Sequence, residues 1–255
     1  MKILKSDNYI NEKLNITPVT KTRLSELRGN TVVATDKTIS DLVRDAIKEY
    51  GNDADLNFIL TYRVTDMNCL FMNTMFNGDI SKWDVSNVES MNSMFVNSYF
   101  DGDISKWDVR NVKDMRYMFS ESQFNGDISR WNVSNVKEMK GMFDKSDFFG
   151  DISDWDVSSV TSMECMFNGN RYFNGDISRW NVSNVRTMEC MFSHSVFNND
   201  ISDWNVCNVG NMKEMFFQAT YFDKDLSKWN VGDSTNTDGM FAYSPLAYNP
   251  PYWYK

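Results

Sequence analysis

Few residues in this 255-residue chain have the chemistry of a catalyst, and most of those recur. His194 is the single histidine, and no nucleophile or acid stands at a defined spacing from it. Carboxylate pairs such as Asp79 and Asp84 have the residue types of a glycosidase dyad, one acid for the leaving oxygen and one carboxylate to attack or activate water. The first member of that pair returns as Asp103, Asp127, Asp151, Asp176, Asp200 and Asp225. A reaction needs its catalyst once, so an aspartate copied down the chain reads as a structural part, satisfied by amides of the following turn or by the Ser81-type hydroxyl. A calcium ladder is the sharper alternative, although calcium loops gather several acidic ligands around one glycine turn.

The sulfur-bearing residues recur in the same manner. Fourteen of the 17 methionines fall at two recurring positions, as in Met91 and Met94, and fill gaps rather than converge on a soft metal. Cys165 and Cys190 share one recurring position. Two small buried thiols are the plainer reading, and a bridge between neighbouring repeats is the alternative. With Cys69 and Cys207 they make no disulfide framework. There is no phosphate loop, zinc spacing or G-x-S-x-G elbow. The expectation is no enzyme, with no catalytic, cofactor or metal residues.

The elements that must position these residues are repeats. Trp83, Trp107, Trp131, Trp155, Trp180, Trp204 and Trp229 lie 24, 24, 24, 25, 24 and 25 residues apart, within a unit F-x-G-D-I-S-x-W-(D/N)-V-x-N-V-x-x-M-x-x-M-F. A fixed period of this length predicts a solenoid in which each coil buries its apolar side only against its neighbours. Ile80, Trp83 and Val85 suggest a short strand, and Val88, Met91, Met94 and Phe95, at helical spacing, suggest a short helix. The fold class expected is therefore an α/β repeat solenoid, leucine-rich-repeat-like. Gly78, Gly102, Gly126, Gly150 and Gly175 suggest a tight turn with positive φ. The Asn87, Asn111, Asn135, Asn184 and Asn208 column suggests buried amides that satisfy backbone groups at a corner.

Four segments follow. Residues 1–31 form an extension in which Tyr9, Ile10 and Leu14 make an apolar stripe able to tether the chain to a partner. Residues 32–75 form an N-terminal cap: a short strand, a helix at about 38–50 opened by a Thr38–Asp41 capping box and stopped by Gly51, and a worn half-repeat. Residues 76–245 hold seven units, and residues 246–255, with Trp253 still in register, form an aromatic C-terminal cap.

F-N-G-D-I-S-K-W-D-V-S-N-V at Phe76–Val88, followed by M-x-x-M-F at Met91–Phe95, resembles the repeat of BspA-like leucine-rich-repeat surface proteins. That group is also catalogued as a mycoplasma-type lipoprotein repeat of unknown function. The resemblance covers about residues 54–245. It implies a leucine-rich-repeat-like solenoid and a role in adhesion or protein binding, with no catalytic residues. A signal peptide and a lipobox cysteine are not seen, which points to a cytoplasmic or assembly-associated chain.

The net charge of −9 argues against nucleic acid, and no apolar run is long enough to span a membrane. A protein partner is therefore expected, recognised by positions that vary between coils. The column six residues after each Trp supplies Lys113, Lys137 and Arg186, and the column nine after supplies Arg116, Lys140, Glu164, Glu189 and Lys213. Arg171 and Tyr172 come from the most variable loop. The alternative is a structural component of a larger assembly, a virion or cell envelope, held by Tyr9, Ile10 and Leu14. Partner identity and oligomeric state are not legible.

Overall fold

A computed structural model describes residues 31–255. The tether residues Tyr9, Ile10 and Leu14 lie outside the described residues. The chain opens with β1 (Val32–Val33), α1 (Ile39–Tyr50) and β2 (Ile59–Leu60). The two strands pair in parallel, Val32 opposite Ile59 and Val33 opposite Leu60. α1 buries Ile39, Leu42, Val43 and Ala46, an apolar stripe at helical spacing, in the same core as the repeats. Gly51, at φ 93°, ends it and donates its N–H to the Ile47 carbonyl. The capping box is not formed. The Thr38 hydroxyl accepts from the Thr35 amide at 3.0 Å, and Asp41 instead pairs with Arg44 at 2.7 Å.

From residue 54 the chain stacks on itself, one repeat on the next. Parallel bridges join Asp66 to Ser90, Ser90 to Asp114, Asp114 to Glu138, Glu138 to Ser162, Ser162 to Thr187, Thr187 to Asn211 and Asn211 to Asn236. Around each bridge, alternate amides donate to the next coil. Met91 reaches Asp114 O at 2.9 Å, Ser93 reaches Arg116 O at 2.8 Å, Phe95 reaches Met118 O at 2.9 Å and Asn97 reaches Ser120 O at 2.9 Å.

The helix expected in each coil is absent, and the strand expected at Ile80–Val85 is a turn. The cause lies in the backbone. The residues ten and fourteen after each Trp have left-handed φ: Ser93 58° and Asn97 48°, Tyr117 56° and Glu121 54°, Cys190 55° and His194 56°. An α-helix cannot pass through such a residue. Consecutive turns result, with Met94 N–H donating to Met91 O and Val96 N–H to Ser93 O, both at 3.3 Å. In the first of these, the third residue is Ser93, whose positive φ is what a type II turn requires.

The glycine expectation also needs correction. Gly78, Gly102, Gly126, Gly150 and Gly175 do not have positive φ. A Cβ there would approach the ring of the phenylalanine two residues earlier to 2.7–2.9 Å, so glycine is present because the ring lies against the backbone, and at Gly78 the Ala54 carbonyl lies against it as well.

Inside, apolar columns run the length of the stack. Phe71, Phe95, Phe119, Phe143, Phe167, Phe192, Phe216 and Phe241 form one, their successive rings 5.3–5.9 Å apart. The tryptophans form another, and all eight indoles find an acceptor one coil back. Trp131 Nε1 donates to Ile104 O at 3.1 Å, and Trp253, in the C-terminal cap, donates to Leu226 O at 2.9 Å. Trp253 also stacks on Trp229 at 6.1 Å, covering the last coil.

The other end is closed by a carboxylate. In later coils the amide six after Trp donates to the preceding coil, as Lys113 does to Glu89 O at 2.8 Å. The first coil has no predecessor, and Asp36 Oδ1 accepts from Thr65 N–H at 2.6 Å and Asp66 N–H at 3.1 Å in its place.

Two outcomes are expected in urea unfolding. Trp131→Phe loses the indole donor and part of the packing, for roughly 1–3 kcal/mol of destabilisation. Asp36→Ala uncaps the first coil for about 1 kcal/mol. Unchanged midpoints would show that neither bond holds the stack.

Candidate functional site

The repeated aspartates are bound locally. Asp79, Asp103, Asp127, Asp151, Asp176, Asp200 and Asp225 each accept from the amide two residues on, at 2.8–3.0 Å. Their carboxyls are lowered from the usual value by the amide and hydroxyl of that serine. Asp84 turns in the same way onto Ser86, so the two carboxylates of the apparent dyad each close their own turn. Among the described residues, no group of three His, Cys, Asp or Glu side chains is placed to hold a metal ion. The asparagine column is exposed rather than buried, but its amides do reach backbone: Asn87 to Tyr62 O, Asn111 to Ser86 O, Asn135 to Arg110 O, Asn184 to Ser158 O and Asn208 to Ser183 O.

Most of the charged candidate residues are engaged within the stack. Lys113 pairs with Glu89 at 2.7 Å and Lys140 with Glu164 at 2.7 Å, each between neighbouring coils. The bond to Glu164 raises the Lys140 ammonium above its usual value. Arg116 binds Asp114 of its own coil at 2.6 Å, which raises its guanidinium likewise. Glu189 accepts from Asn211 at 2.7 Å, Arg186 reaches Asn208 O at 3.4 Å, and Lys213 stands 3.8 Å from Glu214. Lys137 is exposed and has no ion-pair partner among the described residues.

Arg171 and Tyr172 are different. They belong to the segment that makes their coil one residue longer, and they line an open groove of about 560 Å³ with Lys145, Ser146, Asp147, Asn168, Gly169 and His194. The groove has a physical origin. Lys145, Gly169 and His194 occupy the same left-handed position in three consecutive coils, and the middle one has no side chain. A Cβ on Gly169 would come within 2.9 Å of Lys145 Cγ, so the gap is also tight. Asn170, fully buried, anchors the longer loop: its amide donates to Phe148 O at 2.9 Å, and its oxygen accepts from the Tyr172 and Phe173 amides. Below, Asn168 donates to Asp144 at 2.8 Å, and burial pushes the Asp144 carboxyl up. His194 lies edge-on to Phe217 at 5.3 Å.

One neighbouring position lies outside the sequence expectations. The residue after the buried phenylalanine is Asn77, Asp101, Asn125, Asn174, Asn198 or Asp223 in the other coils. Its side-chain oxygen accepts the next coil's amide: Asp101 N–H on Asn77, Asn125 on Asp101, Phe149 on Asn125, Asn198 on Asn174 and Asp223 on Asn198, at 2.8–3.1 Å. Phe149 breaks this column. It offers nothing to the Asn174 amide and leaves its ring 60% exposed, two residues from groove-lining Asp147. Tyr172, 57% exposed, stands just before the phenylalanine of its coil, as the exposed Met75, Tyr99 and Tyr221 do in theirs. The signal was in the sequence, as the one apolar residue in a column of amides and acids.

These features define a repeat protein with a local break in its repeat. A family model described as Mycoplasma protein of unknown function, DUF285, matches residues 39–151 and 145–251, and the chain belongs to that family. No curated protein and no solved structure matches it.

The aspartate turns carry a pH dependence. A carboxyl held below 3.8 in the folded chain stabilises the fold above that pH, and the contribution is lost as pH falls through 3.8 and below. Asparagine makes the equivalent turn in the Asp84 column, at Asn132, Asn181 and Asn205. Asp103→Asn, Asp127→Asn and Asp151→Asn combined are therefore expected to keep the fold at neutral pH and to flatten its acid destabilisation below 3.8, read by thermal unfolding across pH. An acid limb as steep as the wild type's would remove these turns from the account.

Proposed function

We propose that the chain is a BspA-like, leucine-rich-repeat-like solenoid acting as a non-enzymatic, adhesion-type scaffold that binds a protein partner. The partner seats on the edge formed by Phe149, Tyr172 and Arg171, with the groove over Gly169 beside it. The observation that carries this reading is Phe149. Five of the other six coils use that position to bond the next coil, and this one gives up the bond to present a phenyl ring to solvent. Exposed aromatic side chains next to an arginine are the residue types that dominate binding energy at protein interfaces. The columns of Lys113, Arg116, Lys140, Glu164 and Glu189 contribute less, because their charges already satisfy one another.

Phe149→Asn tests the reading because stability and binding should move in opposite directions. The new side chain gives the Asn174 amide an acceptor, for an expected gain of roughly 0.5–1.5 kcal/mol in urea unfolding. Affinity for a partner captured from the source cells is expected to fall at least about tenfold, as for loss of an interface anchor. Unchanged affinity would remove this edge from the interface. Affinity lost instead on deleting residues 1–31 would favour the assembly-component alternative, tethered by Tyr9, Ile10 and Leu14.

A further inference from the structure

Cys165 and Cys190 are held opposite each other on adjacent coils. Cys165 N–H donates to Glu189 O at 2.8 Å and Phe167 N–H to Met191 O at 2.9 Å, so the two carbonyls that flank Cys190 are both bound from the Cys165 segment. The bridge between Ser162 and Thr187 has the same register. Both cysteines sit at φ 55°, so their Cβ atoms leave the backbone in the same direction. Paired strands lie about 4.8 Å apart, inside the roughly 4.4–6.8 Å Cα separation that a disulfide spans. Neither thiol is fully buried, and both are free.

We propose that Cys165 and Cys190 form a redox-active dithiol that a neutral peroxide closes to an intramolecular disulfide between the two coils. The neighbouring Cys190 thiol, with burial, Asp144 and Glu164, raises Cys165, and the neighbouring Cys165 thiol lowers Cys190 against the opposing effects of burial, Glu214 and Glu189. Cys190 is therefore the attacking sulfur. Its thiolate displaces hydroxide from the peroxide, forming a sulfenic acid. Cys165 sulfur then attacks the Cys190 sulfur, the S–O bond breaks, and the oxygen leaves as water with the Cys165 proton. Two thiols and one hydrogen peroxide give one disulfide and two waters. The surrounding carboxylates, with Glu214 Oε2 3.8 Å from Cys190 Sγ, select an uncharged oxidant over an anionic disulfide. This inference is independent of the proposed partner face.

The test uses the full chain with stoichiometric hydrogen peroxide, followed by peptide mapping and a sulfenic-acid trap. The expected product is a reductant-reversible cross-link between the Cys165 and Cys190 peptides, with the intact mass lower by two hydrogen atoms. Exposed Cys69 and Cys207 serve as internal references for uncoupled thiols. Cys165→Ser is expected to leave Cys190 as a trappable sulfenic acid. The proposal is overturned if wild-type chain shows trapped Cys190 without the cross-link, or if Cys69 and Cys207 oxidise while the pair stays reduced.

Discussion

A coil of this protein cannot satisfy its own backbone. The amides at alternate residues from the first methionine onward point along the stack and find their acceptors only in the next coil, as Met91, Ser93, Phe95 and Asn97 do in Asp114, Arg116, Met118 and Ser120. An unpaired buried amide is costly, so the coils must lie in register over their whole length. Register is what turns a sequence repeat into columns: stacked phenylalanines, indoles bonded one coil back, and aspartates each closing the same turn. It also explains the ends. Asp36 supplies carboxylate oxygens where no preceding coil exists, and Trp253 lies over the last tryptophan.

How far this was legible follows from which quantity sets each feature. The apolar columns are set by side-chain type, so the repeat of Phe, Ile, Trp, Val and Met named the buried residues in advance. The path of the backbone is set by φ, and there the sequence misleads. A spacing of three and four residues between Val88, Met91, Met94 and Phe95 fits a helix, and it fits equally a run of turns with bonds three residues apart. The left-handed residues that decide between them are Ser93, Tyr117, Cys165, Glu214 and Lys145, types that give no local warning. The conspicuous glycines signal something else, the closeness of a phenyl ring.

The same distinction separates the candidate residues. Variation between coils marks recognition in some repeat proteins, yet variation with complementary charge is also how neighbouring coils pair. Lys113 with Glu89 and Lys140 with Glu164 change together along the stack, because each answers the residue one coil away. Only neighbours across coils reveal that, and a linear reading does not set residues 24 apart side by side. Arg171 and Tyr172 escape because the loop they belong to has no counterpart in the coil below.

In a repeat protein the strongest local clue to function is therefore a position that violates its column at a cost to the fold. Phe149 gives up a bond made in the coils on either side and exposes an apolar ring. Gly169 opens a gap between two larger residues in a tight left-handed turn. The extra residue near Tyr172 is held by a fully buried Asn170. Phe149 follows groove-lining Asp147 by two residues, and Gly169 and Tyr172 line that same groove. Selection for stability alone would have removed the first, since asparagine is the ordinary occupant and bonds better there. Under the proposed reading, the residue is kept because a partner covers the ring.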